Sequence, residues 1–527
     1  MKNNIVFEKE ISRLELLKIK NISIKEITIM IHRNHSFEMI SSLLNSFLGY
    51  FDLKGIFEYS SYDDSLTFPQ NMNADLHILW LDLDRYNKES LPAFLNEKID
   101  ELSSLTNTPI ILGHIGKLEN FNNKSAYIVD VEKIIRNLGD IAYDLEKEKY
   151  SGTKLSAKSS ILIAQYLGLK IIPSFFNSQI KAIITDLDNT FYRGIVGEDG
   201  INNLILNKAY QLKLKELYNM GYMLCIASKN DKYDVKDLFS KRNDFELKFD
   251  NFTCAKINWN SKAQNIIDMA KEMNIGLDSI IFIDDNIAEI ESVKTAIPEI
   301  KTILFESEEL TLQTLNLYPG FLKTKITQED ILRSKDIKAN RERNELIKTL
   351  SKEEYFKKLG IKIELSLNDK NHIERITELL NKTNQFILSY KRYNIADVEK
   401  FFYSDNACIV TASMCDKLSD SGIIAILICK KENENLLIDE LTFSCRALGR
   451  NIENIVISKM IQISKDYLKT TNNVLINYKK GPRNTPALTW LESFADEKVQ
   501  QEGCIKYQIN NNIQTFGLEV KELCKTN

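Results

Sequence analysis

Two carboxylates set two residues apart after a strand-like run can do phosphoryl chemistry. The chain has two such places, AIITDLDNTFYRG at 182–194 and LWLDLDRY at 79–86. In the first, Asp186 follows the run AIIT and Asp188 points to the same side, so one carboxylate can attack phosphorus while the other handles a proton. Thr190 adds a hydroxyl able to fix the loop or the phosphate. A carboxylate approaching a phosphate dianion is repelled unless charge is neutralised, and hard oxygen ligands favour magnesium for that task.

Three later segments supply what such a site still needs. LCIASKND at 224–231 ends an apolar run with Ser228, whose hydroxyl can hold a phosphate oxygen, followed by Lys229 and Asn230 as further phosphate-side donors. NWNSKAQN at 258–265 brings Lys262, a cation that balances the nucleophile and the phosphoryl group. SIIFIDDN at 279–286 ends in Asp284 and Asp285, giving an expected metal set of Asp186, Asp188, Asp284 and Asp285. Arg193 places a bulky cation beside the same pocket. The earlier triplet runs on into Arg85 and Tyr86 with no Ser or Thr and no later Lys or Asp-Asp partner, so Asp82 and Asp84 read as strand-end or surface residues.

Elements that could hold these residues alternate along the chain. Apolar runs at 27–31, 76–81 and 108–113, separated by amphipathic stretches, predict an amino-terminal parallel α/β domain over 1–175. A second α/β unit is expected over 180–325, with strands at 182–186, 222–227 and 280–284 and a helical pattern at 206–221. Carboxyl ends of strands are where open α/β sheets place reacting groups, which is where Asp186, Ser228 and Asp284 fall. Charged helical sequence at 326–405 reads as a connector, and strands resume in a last domain over 406–527, with a helix at about 451–468.

Composition limits the classes open to the chain. At 527 residues several domains are expected, and 43% hydrophobic with 27% charged residues is ordinary for a globular protein. A balance of 69 basic against 73 acidic residues, net charge −4, argues against a nucleic-acid binder with a basic face. The segment at 1–20 has charges every few residues and no apolar core, so neither a secretory signal nor a membrane anchor is expected there. Eight cysteines without a Cys-x-x-Cys pair fit a reducing cytoplasm and no structural zinc; Cys408, Cys415 and Cys429 lie in strand-like runs and are expected to be buried. His32 and His35 read as a polar loop rather than a ligand pair.

The ordered set DLDNT, Ser228, Lys262 and FIDDN resembles the haloacid dehalogenase superfamily of phosphatases and phosphotransferases. That resemblance implies a Rossmann-like core in which Asp186 is phosphorylated and Asp188 serves as general acid and base. Further stretches, GIVGEDG at 194–200, NIGLDSIIFIDDN at 274–286, ERITELLNKTNQF at 374–386, DSGIIAI at 420–426 and IDELTFSCRALGRNIE at 438–453, look like signatures of the FkbH-like family. What this implies is an enzyme that takes a phosphorylated three-carbon donor such as 1,3-bisphosphoglycerate, removes phosphate and loads the glyceryl unit onto the phosphopantetheine arm of an acyl carrier protein. Phe191, Tyr192 and Arg193 depart from the Leu-Trp-Gly that many members have after the first motif, and glycerate identity does not follow.

The last domain carries a second candidate. SCRALGRN at 444–451 has the form of a strand end, a Gly loop and a helix start, whose amides can hold a pyrophosphate. The spacing of its Arg446, Gly449 and Asn451 is similar to the Arg-x-x-Gly-x-Gly/Ala loop of GNAT acyltransferases, with Asn451 in place of the final small residue and Arg450 a further candidate acyl- or pantetheine-binding residue, so a GNAT-like α+β fold is expected. Cys445 beside it is a candidate acyl-carrying thiol, a buried unreactive cysteine being the alternative. Asn384, Gln385, Arg483 and Asn484 are candidate donors in an acyl-transfer cleft, with capping or turn roles equally open.

Overall fold

A computed structural model describes residues 4–62, 66–69, 72–87, 90–119, 121–322, 339, 343, 346–347, 349–383, 385–444, 447–481, 483–495, 499–508 and 518–523. The chain divides into two compact units, the first made of the amino-terminal domain with residues 305–322 returning to it, the second of Lys181–Leu304 with the described residues beyond 325. Domain two therefore ends near 304, twenty residues before the expected limit. Residues beyond it pack on the first unit through contacts such as the Tyr318 and Phe51 rings.

The first unit is built on five parallel strands, β1 (Lys25–Arg33), β2 (Leu53–Tyr59), β3 (Leu76–Asp82), β4 (Ile110–Ile115) and β5 (Ala126–Asp130), in the order β2-β1-β3-β4-β5. β3 and β4 are buried along their whole length, which is why they read as continuous apolar runs. One helical stretch, Ala157–Phe176, is long and apolar enough to cross a membrane by length and composition, and 61% of it is buried inside the protein. Asp82, at the end of β3, is buried and shares Lys154 with Asp84, at 3.0 and 2.8 Å, and Arg85 lies 3.5 Å from Asp82. The earlier triplet, Asp82 and Asp84, is thus paired with cations of its own surroundings. Of the two histidines expected in a polar loop, His32 lies within β1 against His77 and His35 in the bend that follows, stacked on Trp80; both are fully buried. Burial lowers the pKa of each to about 3, so both are neutral.

In the second unit, β6 (Ala182–Thr185), β9 (Met223–Ser228), β10 (Phe252–Ile257), β11 (Ile280–Asp284) and β12 (Lys301–Leu304) form a parallel sheet in the order β10-β9-β6-β11-β12. A two-residue hairpin, β7 (Tyr192–Arg193) with β8 (Ile205–Leu206), follows β6. β6 lies in the middle, bonded to β9 and β11, so three strand ends converge at one place. Apolar side chains of the helix Lys262–Met273 and of β6, β9 and β11 share one core beneath them.

The remaining sheet has β13 (Lys362–Leu367), β14 (Ala407–Cys415), β15 (Asp420–Glu432), β16 (Asn435–Phe443), β17 (Val474–Lys479), β18 (Glu502–Tyr507) and β19 (Glu519–Leu523), in the order β18-β17-β16-β15-β14-β13-β19. Of the stretch expected as a connector, the described residues from 349 onward belong to this domain instead. β13 pairs with β14, and the helices Ile373–Lys382 and Ile395–Phe402 cover one face through Ile376, Leu380 and Val398. Its charged exposed positions hid the short strand KIELSL, whose alternate residues Ile363, Leu365 and Leu367 are the buried ones. The expected α/β core between an amino-terminal α/β domain and a carboxyl-terminal α+β domain, in chain order, is the architecture found.

Replacing Lys154 with Met leaves the buried Asp82 with Arg85 as its remaining cation. The first unit should lose about 2 kcal/mol in urea unfolding, less than the loss for a wholly unpartnered buried charge. Unchanged stability would mean that this triplet is not held by charge pairing.

Candidate functional site

Asp186 enters the site because β6 is locked on both sides: its own amide donates to Ile283 O at 2.9 Å, just beyond the β6 and β11 ladder. Lys262 begins a helix capped by Ser261, whose hydroxyl accepts from the Gln264 amide, so the lysine leaves the first turn toward the sheet. Its Nζ lies 2.9 Å from Asp186 Oδ2 and 2.5 Å from Asp284 Oδ2, and all three side chains are buried. Burial opposes the ammonium charge, but the Asp186 and Asp284 charges outweigh it and hold the lysine pKa above its ordinary value. Asp284 accepts from the Asn286 amide at 2.9 Å; burial first, and then the Asp186 charge, push its carboxyl up to about 6. Asp285 is raised by the same two causes and takes a 3.4 Å contact from the Thr190 hydroxyl.

One oxygen from each of Asp186, Asp284 and Asp285 lies within 4.8 Å of the others. Asp186 Oδ1 is buried and has no hydrogen-bond partner among the described residues. A buried carboxylate oxygen without a donor is costly, and three carboxylates against one lysine leave negative charge over. The donor set is all oxygen, so the residues fit a small hard dication.

Asp188, expected among the ligands, is turned elsewhere. Its Oδ1 accepts from the Tyr192 hydroxyl at 2.7 Å and the Val196 amide at 3.3 Å, and its Oδ2 from Asn230 Nδ2 at 3.0 Å. Burial raises its pKa against those three donors. The turn that brings Tyr192 back is closed by Asn189, at φ 51°, and Gly194, at φ 105°, whose amide donates to Asn189 Oδ1. A Cβ at Gly194 would lie 2.9 Å from Asp199 Oδ2, so both conformation and space require glycine.

The other expected residues divide. Ser228 is buried at the end of β9, its Oγ accepting from Asn230. Thr190 is buried, and its carbonyl accepts from Asn207 Nδ2 at 2.9 Å. Lys229 is paired with Glu289, and the exposed Arg193 donates from Nε to Asn207 Oδ1. Tyr192, Asn207 and Glu289 were not singled out in the sequence; the Gly194 turn was the one available signal that Tyr192 folds back on Asp188.

In the last domain Asn384, Cys445 and Arg446 lie outside the described residues. Gly449, at φ 79°, gives its amide to Glu453 Oε1, so a side chain of the same chain already occupies that donor. Arg450 is buried, with Nη1 at 3.1 Å from Ser421 Oγ rather than at the loop surface. β16 and β17 pair only from Leu436 to Ile438. Beyond that the Phe443 amide donates to Phe386 O, the Leu388 amide to Leu441 O and the Lys479 amide to Leu388 O, so residues 386–388 fill the fork. Gln385, at its mouth, is half-buried. Asn484 supports this segment through Ile387 O, and Arg483 pairs with Asp278 ahead of β11. Cys408 and Cys429 are buried as expected, but Cys415 is exposed, being the last residue of β14 beyond a register shift.

These features define a doubly wound α/β domain with a carboxylate and lysine centre at its strand ends, followed in sequence by a mostly antiparallel α+β domain. No family model and no curated protein sequence matches the chain. Solved structures of similar shape include the N-terminal part of BF1531 from Bacteroides fragilis, containing a phosphatase domain complexed with Mg, at 19% identity over 60% of this chain and 100% of that one, TM-score 0.46. The ribosomal-protein-S18-alanine N-acetyltransferase of Escherichia coli gives 7% identity over 29% of this chain and 99% of that one, TM-score 0.22. N-acetylglutamate synthase from Neisseria gonorrhoeae, complexed with coenzyme A and N-acetyl-glutamate, gives 10% over 83% and 95%, TM-score 0.20. At these identities and TM-scores the matches carry no argument about fold or activity.

Calorimetric titration with magnesium separates the two carboxylate groups. Asp284→Asn and Asp285→Asn should each weaken binding by about tenfold or more, whereas Asp188→Asn should change it by less than about threefold. Equal weakening by all three would return Asp188 to the ligand set.

Proposed function

We propose that the chain is a magnesium-dependent phosphatase of haloacid dehalogenase type, and that the FkbH-like resemblance gives its substrate: a small phosphorylated donor of glyceryl type, such as 1,3-bisphosphoglycerate. The observation that carries the phosphatase reading is the unpartnered Asp186 Oδ1, buried beside Lys262, Asp284 and Asp285. An oxygen with no donor is free to form a bond to phosphorus. In the first step an Asp186 oxygen bonds to phosphorus as the phosphorus–oxygen bond to the substrate breaks, and Asp188 gives its proton to the departing oxygen. In the second, Asp188 takes a proton from water, the water oxygen bonds to phosphorus, and Asp186 leaves as a carboxylate. Lys262 offsets charge on Asp186 throughout. A divalent cation held by Asp186, Asp284 and Asp285 would supply neutralisation of the phosphoryl oxygens.

The last domain, in this reading, loads the glyceryl unit onto an acyl carrier protein by way of Cys445, in the cytoplasm and without nucleic acid or membrane. The Asp186 site removes the carbon-3 phosphate, the Cys445 thiolate bonds to the acyl carbon as the carbon-1 phosphate departs, and the carrier's thiol then takes the glyceryl unit as the Cys445 thioester breaks. A second reading, in which that domain only binds a carrier or partner, is favoured by the Gly449 amide being taken by Glu453 and by the fork filled with residues 386–388.

Incubation with 1,3-bisphosphoglycerate, magnesium and a phosphopantetheinylated carrier decides between them by mass spectrometry. Phosphate release with a glyceryl adduct on Cys445 or the carrier supports transfer; phosphate without either adduct supports the binding module. Asp186→Asn should abolish release of the carbon-3 phosphate, and unchanged release of it in that variant would refute the nucleophile assignment. Cys445→Ala should stop transfer and leave release of the carbon-3 phosphate intact.

A further inference from the structure

Asp188 must hold one orientation through two opposite events, giving a proton and then taking one. Most partners cannot accompany a carboxyl through that cycle, because an amide N–H only donates: it suits the carboxylate and opposes a proton placed on the oxygen it faces. Of the three groups bonded to Asp188, the Val196 amide and the Asn230 side-chain NH2 are of this kind. The Tyr192 hydroxyl is different. It donates when Asp188 is charged and can rotate to accept when Asp188 is protonated.

Tyr192 is also fixed independently of Asp188. Its side chain is fully buried, its ring packs near Phe245, and its backbone is held in β7 against Leu206 of β8. The hydroxyl therefore reaches Asp188 Oδ1 on a ring packed in the core and carried by a paired strand. We propose that Tyr192 is a positioning residue of the phosphatase site, whose hydroxyl holds the Asp188 carboxyl in line with the departing oxygen in both of its protonation states. This rests on the phosphatase reading above and adds to it a residue that does not touch the phosphoryl group.

The readout follows from leaving-group chemistry. A departing alkoxide needs the Asp188 proton, whereas p-nitrophenolate or the carboxylate of acetyl phosphate departs without it. Loss of Tyr192's hydroxyl should therefore slow the first step only where proton delivery matters, whereas the water step, in which Asp188 accepts a proton, is common to all donors and slows for each. Tyr192→Phe removes one oxygen and keeps the buried ring, and thermal unfolding establishes that the variant is folded. Rapid-quench measurement of leaving-group release in the first turnover isolates the first step. With an alkyl monophosphate such as glycerol 3-phosphate, that rate should fall by about tenfold or more, within the range of general-acid contributions. With p-nitrophenyl phosphate and acetyl phosphate, it should change by less than about threefold. A folded Tyr192→Phe variant that keeps the full first-turnover rate on the alkyl monophosphate, or that slows the first turnover equally on all three compounds, overturns the proposal. Absence of phosphate release from all three by the unsubstituted protein overturns the phosphatase reading itself.

Discussion

Buried carboxylates must be neutralised, and the way each group of them is neutralised governs what it can do. Asp82 and Asp186 stand in the same local setting, each after a buried central strand and each followed two residues later by a second aspartate. At the first, one lysine brought in from position 154 serves both carboxylates, and an arginine shared with Glu148 stands beside it. At the second, Lys262 spans Asp186 and Asp284, Asp285 stands near, and one Asp186 oxygen remains without a donor among the described residues. The difference between the two is that unpartnered buried oxygen.

The surrounding structure serves this imbalance. A parallel order with β6 in the middle puts three strand ends together, and the helix at Lys262 delivers the cation from its first turn. The hairpin after β6 turns Asp188 away from the acidic cluster, toward Tyr192 and Asn230, so that two neighbouring aspartates acquire separate tasks. The roles proposed for them, Asp188 as proton carrier and Asp186 as metal-side nucleophile, rest on these partners rather than on position in the motif.

Much of this was legible in the sequence because strand-end residues announce themselves: an apolar run stops and a polar residue follows, as at Ser228 and Asp284. What was not legible depends on contacts far apart in the chain. Lys154 gives no local sign that it serves Asp82, seventy-two positions earlier. The burial of His32 against His77 joins two strands and could not be read from the loop-like stretch HRNHS. β13 was hidden in a charged region because a strand with one buried face shows only alternate apolar residues. Residues 386–388 look like an island between helical and strand segments, and only the divergence of β16 from β17 gives them a place.

In the proposed mechanism Asp186 forms a covalent bond to phosphorus. Borohydride reduction during turnover, followed by peptide mass spectrometry, reports it directly, since reduction of an aspartyl phosphate yields homoserine. The account predicts homoserine at position 186 alone, dependent on donor and magnesium. Steady release of phosphate while Asp186 stays unmodified would contradict it.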